Sequence, residues 1–435
     1  MMASLNPKHV ILLCTAIASL SSPCGVSLGG EFRWLGASAI DPTVDAFGEA
    51  RGISANGQVV VGKLVPPIPP VASEAYLWTR PEPLGVGLGL LDGSSDGSLS
   101  SSAAATSADG SVIVGSSTSD QGVQAFRWTS EGGLAGLGGL LPQPVEGFLS
   151  EANDVSGDGD IVVGRAASPQ GTEAVLWTGS QGIQNLGHLS GGNVDSAATA
   201  VSQDGTVVVG FSDSASGIQA FRWNESEEMI GLGDLPGGVF ESRALDVSSD
   251  GRVIVGFGTT ESGMEAFRWT STDGMVGLGH LPGFTDGSYA TATTADGHLV
   301  AGVSIGETGR QSFLWDAVHG MRDITEVFGQ AAELRGTDST IVGISADGTV
   351  MAGFGNGPSL APTPWILVIP EPHGFWLLAS GMVVIVFRSA WSQYRSGLQW
   401  SAGRDAAAFG LSTDGHLGHE IRREMTSNGS TFRSS

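Results

Sequence analysis

The residues best able to do chemistry in this chain recur at regular intervals. Asp109, Asp158, Asp204, Asp250, Asp296 and Asp347 each precede a glycine and follow a serine or threonine by two positions. Clustered carboxylates of this kind could hold calcium, which takes six to eight oxygen ligands. Here they recur once per repeat in identical contexts, so they are spread apart rather than gathered on one ion. The turn reading therefore prevails: aspartate bonds its own backbone and glycine supplies positive φ. Arg127, Arg222 and Arg268 share one strand position, where pairing with neighbouring acids or a stacked packing role fits better than substrate binding. His188 and His280 occupy the slot that Asp234 holds in another unit, which predicts an exposed position. His298 and His319 have no partner at metal-ligand spacing. No serine elbow, phosphate loop or dinucleotide fingerprint occurs. Catalytic, cofactor and metal residues are thus expected to be none. Asn224-Glu225-Ser226 and Asn428-Gly429-Ser430 match the glycosylation pattern, which is common and weighs little.

Composition narrows the classes further. The chain has 435 residues with 20 Lys+Arg against 44 Asp+Glu, a formal net charge of −24. Phosphate would repel such a chain, which excludes nucleic-acid binding by charge neutralisation. Hydrophobic residues at 41% and 11 tryptophans argue against simple disorder. Glycine numbers 67 without a three-residue period, so collagen is excluded. Cys14 and Cys24 both lie near the N-terminus and supply neither a disulfide framework nor a cysteine–zinc site.

Positioning elements emerge from self-similarity. Val201-Ser202-Gln203-Asp204-Gly205-Thr206-Val207-Val208-Val209-Gly210 is followed by Gln219-Ala220-Phe221-Arg222-Trp223 and by Gly231-Leu232-Gly233-Asp234-Leu235-Pro236-Gly237. The next unit repeats the pattern from Val247 to Gly283. Turn glycines recur at Gly57, Gly110, Gly159, Gly205, Gly251, Gly297 and Gly348, with spacings of 53, 49, 46, 46, 46 and 51 residues. Each unit reads as four short strands; in one, these are Arg243–Ser248, Arg252–Gly256, Glu265–Thr270 and Met275–Leu281. Four strands in about 46 residues is the size of a propeller blade. Phe32-Arg33-Trp34-Leu35-Gly36 looks like the end of a unit that lacks a beginning, and the unit containing Trp365 lacks its last strand. The expectation is an all-β, seven-bladed β-propeller over residues 31–368, closed by the N-terminal strand. An open β-solenoid is the rival fold, and it would have no need of a split unit.

The motif set Ser-x-Asp-Gly, Val-Val-Val-Gly, Ala-Phe-Arg-Trp and Gly-Leu-Gly-x-Leu-Pro-Gly resembles the HAF-repeat family of extracellular proteins. The family's His-Ala-Phe appears as Gln124-Ala125-Phe126, Gln219-Ala220-Phe221 and Glu265-Ala266-Phe267. The resemblance implies an exported repeat protein and supplies no catalytic residue. Ser-x-Asp-Gly also resembles the sialidase Asp-box, but the tryptophan that motif requires at short spacing is absent.

The ends read as targeting segments. Residues 1–30 have the form of an export signal, with Lys8 before the apolar run Val10–Leu20. Pro370-Glu371-Pro372, the apolar run Gly374–Phe387 and Arg388 resemble the PEP-CTERM sorting signal, which implies an exosortase-type processing enzyme as partner. The sorting and membrane segment is placed at 369–391, with a tail of unknown role at 392–435. An ordinary single-span anchor with Arg388 and Arg395 in the cytoplasm is the alternative. Setting aside Lys8 and the six bases and four acids of residues 388–435 leaves 13 bases and 40 acids, a net of −27. The acidity belongs to the exported body.

Loop lengths suggest where a partner would bind. Strand two to the tryptophan spans 13 residues in units two to six, but 16 in unit one, which holds Pro66-Pro67-Ile68-Pro69-Pro70. If the Gly-Leu-Gly strand is outermost, the variable connections share one rim. The expected binding rim comprises Pro66–Pro70, Asp92–Ser102, Pro142–Phe148 and Asp323–Arg335. The functional expectation is an exported, envelope-anchored, non-enzymatic surface or matrix module with an extracellular polysaccharide or protein ligand. A propeller hydrolase or lyase acting on polysaccharide is the alternative. It would require one blade to break the pattern near the axis with convergent carboxylates, histidine or arginine.

Overall fold

The computed structural model describes residues 31–36, 47–65, 71–82, 84–92, 99–120, 122–141, 150–358 and 361–369. Pro66, Pro67, Pro69, Pro70, Pro370, Glu371, Pro372 and Arg388 lie outside them, as do the expected signal and tail. The strands follow one another in fours. The first sheet holds β2 (Phe47–Ile53), β3 (Val59–Val65), β4 (Val71–Thr79) and β5 (Val86–Gly89). The second holds β6 (Leu99–Thr106), β7 (Val112–Ser119), β8 (Gly122–Thr129) and β9 (Gly133–Gly136). A parallel pairing of β4 with β6 joins these two. Next come β10 (Ser150–Val155), β11 (Ile161–Ala167), β12 (Thr172–Thr178) and β13 (Gly182–Gly187), then β14 (Ser196–Val201), β15 (Val208–Ser214), β16 (Gly217–Asn224) and β17 (Glu228–Gly231). They are followed by β18 (Arg243–Val247), β19 (Ile254–Thr260), β20 (Gly263–Thr270) and β21 (Gly274–Gly277), and by β22 (Gly287–Thr293), β23 (Val300–Gly306), β24 (Gly309–Asp316) and β25 (Gly320–Asp323). The last sheet has the order β1 (Glu31–Trp34), β28 (Pro362–Val368), β27 (Val350–Asn356) and β26 (Thr340–Ile344). Trp34 stands opposite Trp365 in the β1–β28 register, so the N-terminal strand completes the sheet that the C-terminal strands begin.

The sheets form a closed β-propeller. Each first strand packs against the next, from β2 through β6, β10, β14, β18 and β22 to β26, and β26 packs against β2. A belt of hydrogen bonds at the turns follows the same path. Asn56 N donates to Ala108 O, Ala108 N to Gly157 O and Gly157 N to Gln203 O. Ser249 Oγ donates to Gln203 Oε1. Ser249 N reaches Ala295 O, Ala295 N reaches Ala346 O, and Ala346 N returns to Ala55 O at 2.9 Å. An open solenoid has no such return.

The apolar core is divided into layers between neighbouring sheets. Val208 faces the layer shared with β10–β13, and Val209 the layer shared with β18–β21. Burial on both faces is why the Val-Val-Val run lacks alternation. Phe221 and Ala220 divide in the same way, each fully buried. The glycine closing that run is sterically required: a Cβ on Gly210 would stand 2.0 Å from Ala197 O. The turn glycine is required by its backbone, with Gly205 at φ +75.

The expected rim segment Asp323–Arg335 serves packing. It forms a one-turn helix, Ile324–Val327, capped by Asp323, and a 3-10 turn, Gly329–Leu334. Ile324, Ala331 and Leu334 are fully buried in the layer between the last two sheets. Glu326, Ala332, Glu333 and Arg335 stay exposed, so the segment fills the core layer with one side and faces solvent with the other. Among the described residues no helix is long and apolar enough to cross a membrane.

Candidate binding mouth of the central channel

The recurring aspartates close turns. Asp204 Oδ1 accepts from Ser202 Oγ at 2.6 Å and from Thr206 N at 3.0 Å, while Ser202 Oγ accepts from Val207 N. Burial raises the Asp204 carboxyl, but these hydrogen bonds outweigh it and hold the carboxyl below the usual range. Arg127 and Arg268 donate to the next sheet's turn carbonyls, Gly159 O and Gly297 O. Arg222 pairs instead with Glu227 at 2.7 Å.

The slot shared by Asp234, His188 and His280 is exposed at His188, as expected, but half-buried at Asp234 and His280. Asp234 is half-buried and accepts from Leu235 N, Glu241 N and Thr259 N. His188 lies 3.7 Å from Glu173. His280 contacts Met264 O. The slot ties the outer strand's end to neighbouring backbone at Asp234 and His280 and to a carboxylate at His188, a task open to either polar type. His319 Nδ1 contacts Asp316 at 2.9 Å, and Arg322 pairs with the same carboxylate. Among the described residues no three His, Cys, Asp or Glu side chains gather as a metal site.

The repeat breaks along the axis. Every first strand carries a β-bulge, for example between Ala152 and Asp154 and between Ala244 and Asp246. A bulge leaves one residue unpaired and turns it outward from the ladder. These residues, Arg51, Ala104, Asn153, Thr199, Leu245, Thr291 and Val342, line a central channel of about 250 Å³. The positions after them are Gly52, Ala105, Asp154, Ala200, Asp246, Ala292 and Gly343. Two carboxylates thus enter a slot otherwise held by glycine or alanine.

Asp154 Oδ2 accepts from Val201 N at 2.8 Å, on the next sheet. Asp246 Oδ2 accepts from Thr293 N at 2.7 Å, and its Oδ1 from Val247 N. Both side chains keep some solvent contact, but protein surrounds the channel on all sides. This enclosure pushes each carboxyl up to about 7 against the pull of its amide donors. For Asp246 the charge of Asp154 adds to the effect.

Above the bulges, the channel opens at the rim where strand two meets strand three and where each sheet passes to the next. Cross-strand pairs here differ from sheet to sheet: Glu49 with Lys63, Ser102 with Ser116, Glu151 with Arg165, Ala197 with Phe211, Arg243 with Phe257, Tyr289 with Val303 and Thr340 with Phe354. Glu49 Oε2 takes Lys63 Nζ at 3.2 Å and Arg51 Nη2 at 3.4 Å. Glu151 Oε2 takes Arg165 Nη2 at 2.7 Å and Nε at 3.0 Å. The Arg243 guanidinium lies 4.3 Å above the Phe211 ring and pairs with Glu241. Two hollows meet at Asn153. One, of about 430 Å³, is lined by Glu151, Arg165, Phe211 and Leu245. The other, of about 360 Å³, is lined by Glu49, Arg51, Ala104 and Phe354. Sequence reasoning missed this site. The available signal was the substitution of charged or aromatic residues at repeat positions held elsewhere by alanine, serine or valine.

No family model matches the chain, and no curated protein matches it. Solved structures do. TolB from Acinetobacter baumannii aligns at 13% identity and a TM-score of 0.43, over 60% of this chain and 62% of that one. This chain thus spans about 62% of that protein's length. An oligogalacturonate lyase in complex with manganese aligns at 12% identity and a TM-score of 0.49, over 79% of this chain and 97% of that one. An oligogalacturonate lyase from Vibrio parahaemolyticus gives 10% identity and 0.48, over 79% and 98%.

Proposed function

We propose that the chain is an exported, envelope-anchored, seven-bladed propeller that acts as a non-enzymatic surface or matrix interaction module. Residues 1–30 direct export, and Pro370-Glu371-Pro372 with Arg388 mark the segment that an exosortase-type enzyme processes. The observation that carries the interaction reading is the broken repeat at one channel mouth. Side chains vary in charge and aromaticity there, while the buried pattern of the same strands repeats. The insert Pro66–Pro70 joins β3 and β4, whose ends meet at that same rim. Variation confined to one face of a regular scaffold is how binding surfaces arise on repeat folds. The non-enzymatic part rests on the carboxylates. Glu49 and Glu151 are held in ion pairs, and Asp154 and Asp246 by backbone amides. Structural pairing of this kind accounts for these carboxylates without a catalytic role, since ion-pair and hydrogen-bond networks also perturb carboxyl groups.

Purified full-length chain mixed with isolated cell-envelope material tests this reading. Retention on the material without release of reducing ends is expected. Steady release of reducing ends, abolished by one carboxylate substitution, would replace the module with a polysaccharide hydrolase or lyase. Failure to be retained would remove the interaction role. Pro370→Ala with Glu371→Ala should leave the mature chain longer; unchanged processing would sink the sorting assignment.

A further inference from the structure

We propose that the channel mouth between Glu49, Arg51, Glu151, Arg165, Phe211 and Phe354 is a binding site for an uncharged saccharide chain. This deepens the interaction reading above and rests on it. Three features point to the ligand class. The first is charge. Although acids outnumber bases 44 to 20 in the chain, Arg51, Lys63, Arg165 and Arg243 gather at this mouth. Arg51 and Lys63 share Glu49, Arg165 pairs with Glu151 and Arg243 with Glu241, so four cations face three carboxylates, with Asp154 and Asp246 in the channel beneath them, and the mouth is locally near neutral rather than a strong anion site.

The second feature is the pairing itself. Guanidinium donors and carboxylate acceptors held side by side suit a ligand that offers both functions on adjacent atoms. Vicinal hydroxyls do so, whereas a phosphate or carboxylate accepts only. Arg165 and Glu151, joined through two N–H donors, present such a planar edge. The third is the apolar complement. Phe211 and Phe354 are half-buried rings in the two hollows. Arg243 covers one face of Phe211, so Phe354 and the remaining side of Phe211 supply the apolar surface that suits the C–H face of a sugar ring, with the hydroxyl edge turned to the polar groups. Hollows of about 430 and 360 Å³ fall within the range of small-ligand sites, and their junction at Asn153 gives an extended path.

Titration calorimetry of the full-length chain tests the site. The probes are three neutral hexaoses (cello-, laminari- and malto-hexaose) and an alginate hexamer as the anionic comparison. Binding of at least one neutral hexaose is expected, with affinity changing less than about twofold as salt rises about tenfold. Arg165→Ala and Phe211→Ala should each weaken it about tenfold or more, and Val276→Ser on the outer strand should not. Where Arg165→Ala lowers the melting temperature, Glu151→Gln, which keeps the shape, gives the same test. No binding to any neutral hexaose overturns the proposal, as does binding to alginate alone with steep salt loss. So does affinity unmoved by the mouth variants. A chain retained on envelope material that binds no hexaose fails only this proposal; a chain that binds a hexaose but is not retained fails only the envelope reading.

Discussion

Asp246→Asn should invert its effect on stability between acid and alkaline pH. The carboxyl sits near 7 in the folded ring and near 3.8 in the unfolded chain. Between those values the folded state holds a proton that the unfolded state has lost. The stability that this carboxyl contributes therefore falls as pH rises through that window, and it is greatest below pH 4. A gap of about three pKa units corresponds to about 4 kcal/mol if the site were dry. The channel gives the carboxyl solvent contact, so we halve this to about 2 kcal/mol. Asparagine removes the titration and keeps one oxygen acceptor. One of the two amides, Val247 N or Thr293 N, loses its partner at a cost of about 1 kcal/mol. The variant should be about 1 kcal/mol less stable than the parent at pH 4 and about 1 kcal/mol more stable at pH 8. Urea unfolding followed by tryptophan fluorescence at both pH values reads the difference, and titrating groups other than the coupled Asp154 cancel in the comparison. A parent-minus-variant difference that stays constant from pH 4 to pH 8 would refute the reasoning.

Three further outcomes follow from the packing. Gly210→Ala drives a methyl group against the backbone of the adjacent strand at Ala197 and Ala198; it should cost about 3 kcal/mol or more by overpacking, visible as a lower urea midpoint. Ser202→Ala removes the hydroxyl that accepts from Val207 N and donates to Asp204. A loss of about 1–3 kcal/mol is expected from the unpaired buried amide, and a smaller change than the Gly210 variant's would fit the ranking. Deleting residues 31–36 uncovers the edge of β28; light scattering on warming should rise well before the parent's does, because a free strand edge templates pairing between chains. Equal scattering would mean that closure does not depend on β1.

Much of the architecture was legible in advance because it rests on local, repeated constraints. The turn aspartates, their serine partners and the glycines at positive φ act within a few residues, so spacing alone exposes them. The split unit was legible too, since Phe32-Arg33-Trp34 copies a pattern that the C-terminal end lacks. The side-chain division of Phe267 from Ala266 follows from strand alternation. The slot shared by His188 and Asp234 was legible only in part: His188 is exposed, whereas Asp234 is half-buried by partners, Glu241 N and Thr259 N, that are 7 and 25 residues away. The packing role of Asp323–Arg335 was not legible, because length alone does not show that Ile324, Ala331 and Leu334 fill a gap between sheets.

Sequence by itself determined the repeat, the turn chemistry and the strand count per unit, since each depends on neighbours along the chain. Only the tertiary structure decided what lies on the axis. Asp154 and Asp246 are 92 residues apart by their numbers, yet they face one channel, and Glu151, Phe211 and Phe354 meet around one mouth. A ring brings one position from every unit to a common centre. The residue that departs from the repeat therefore gains its meaning from distant units, through distances that no spacing along the chain encodes.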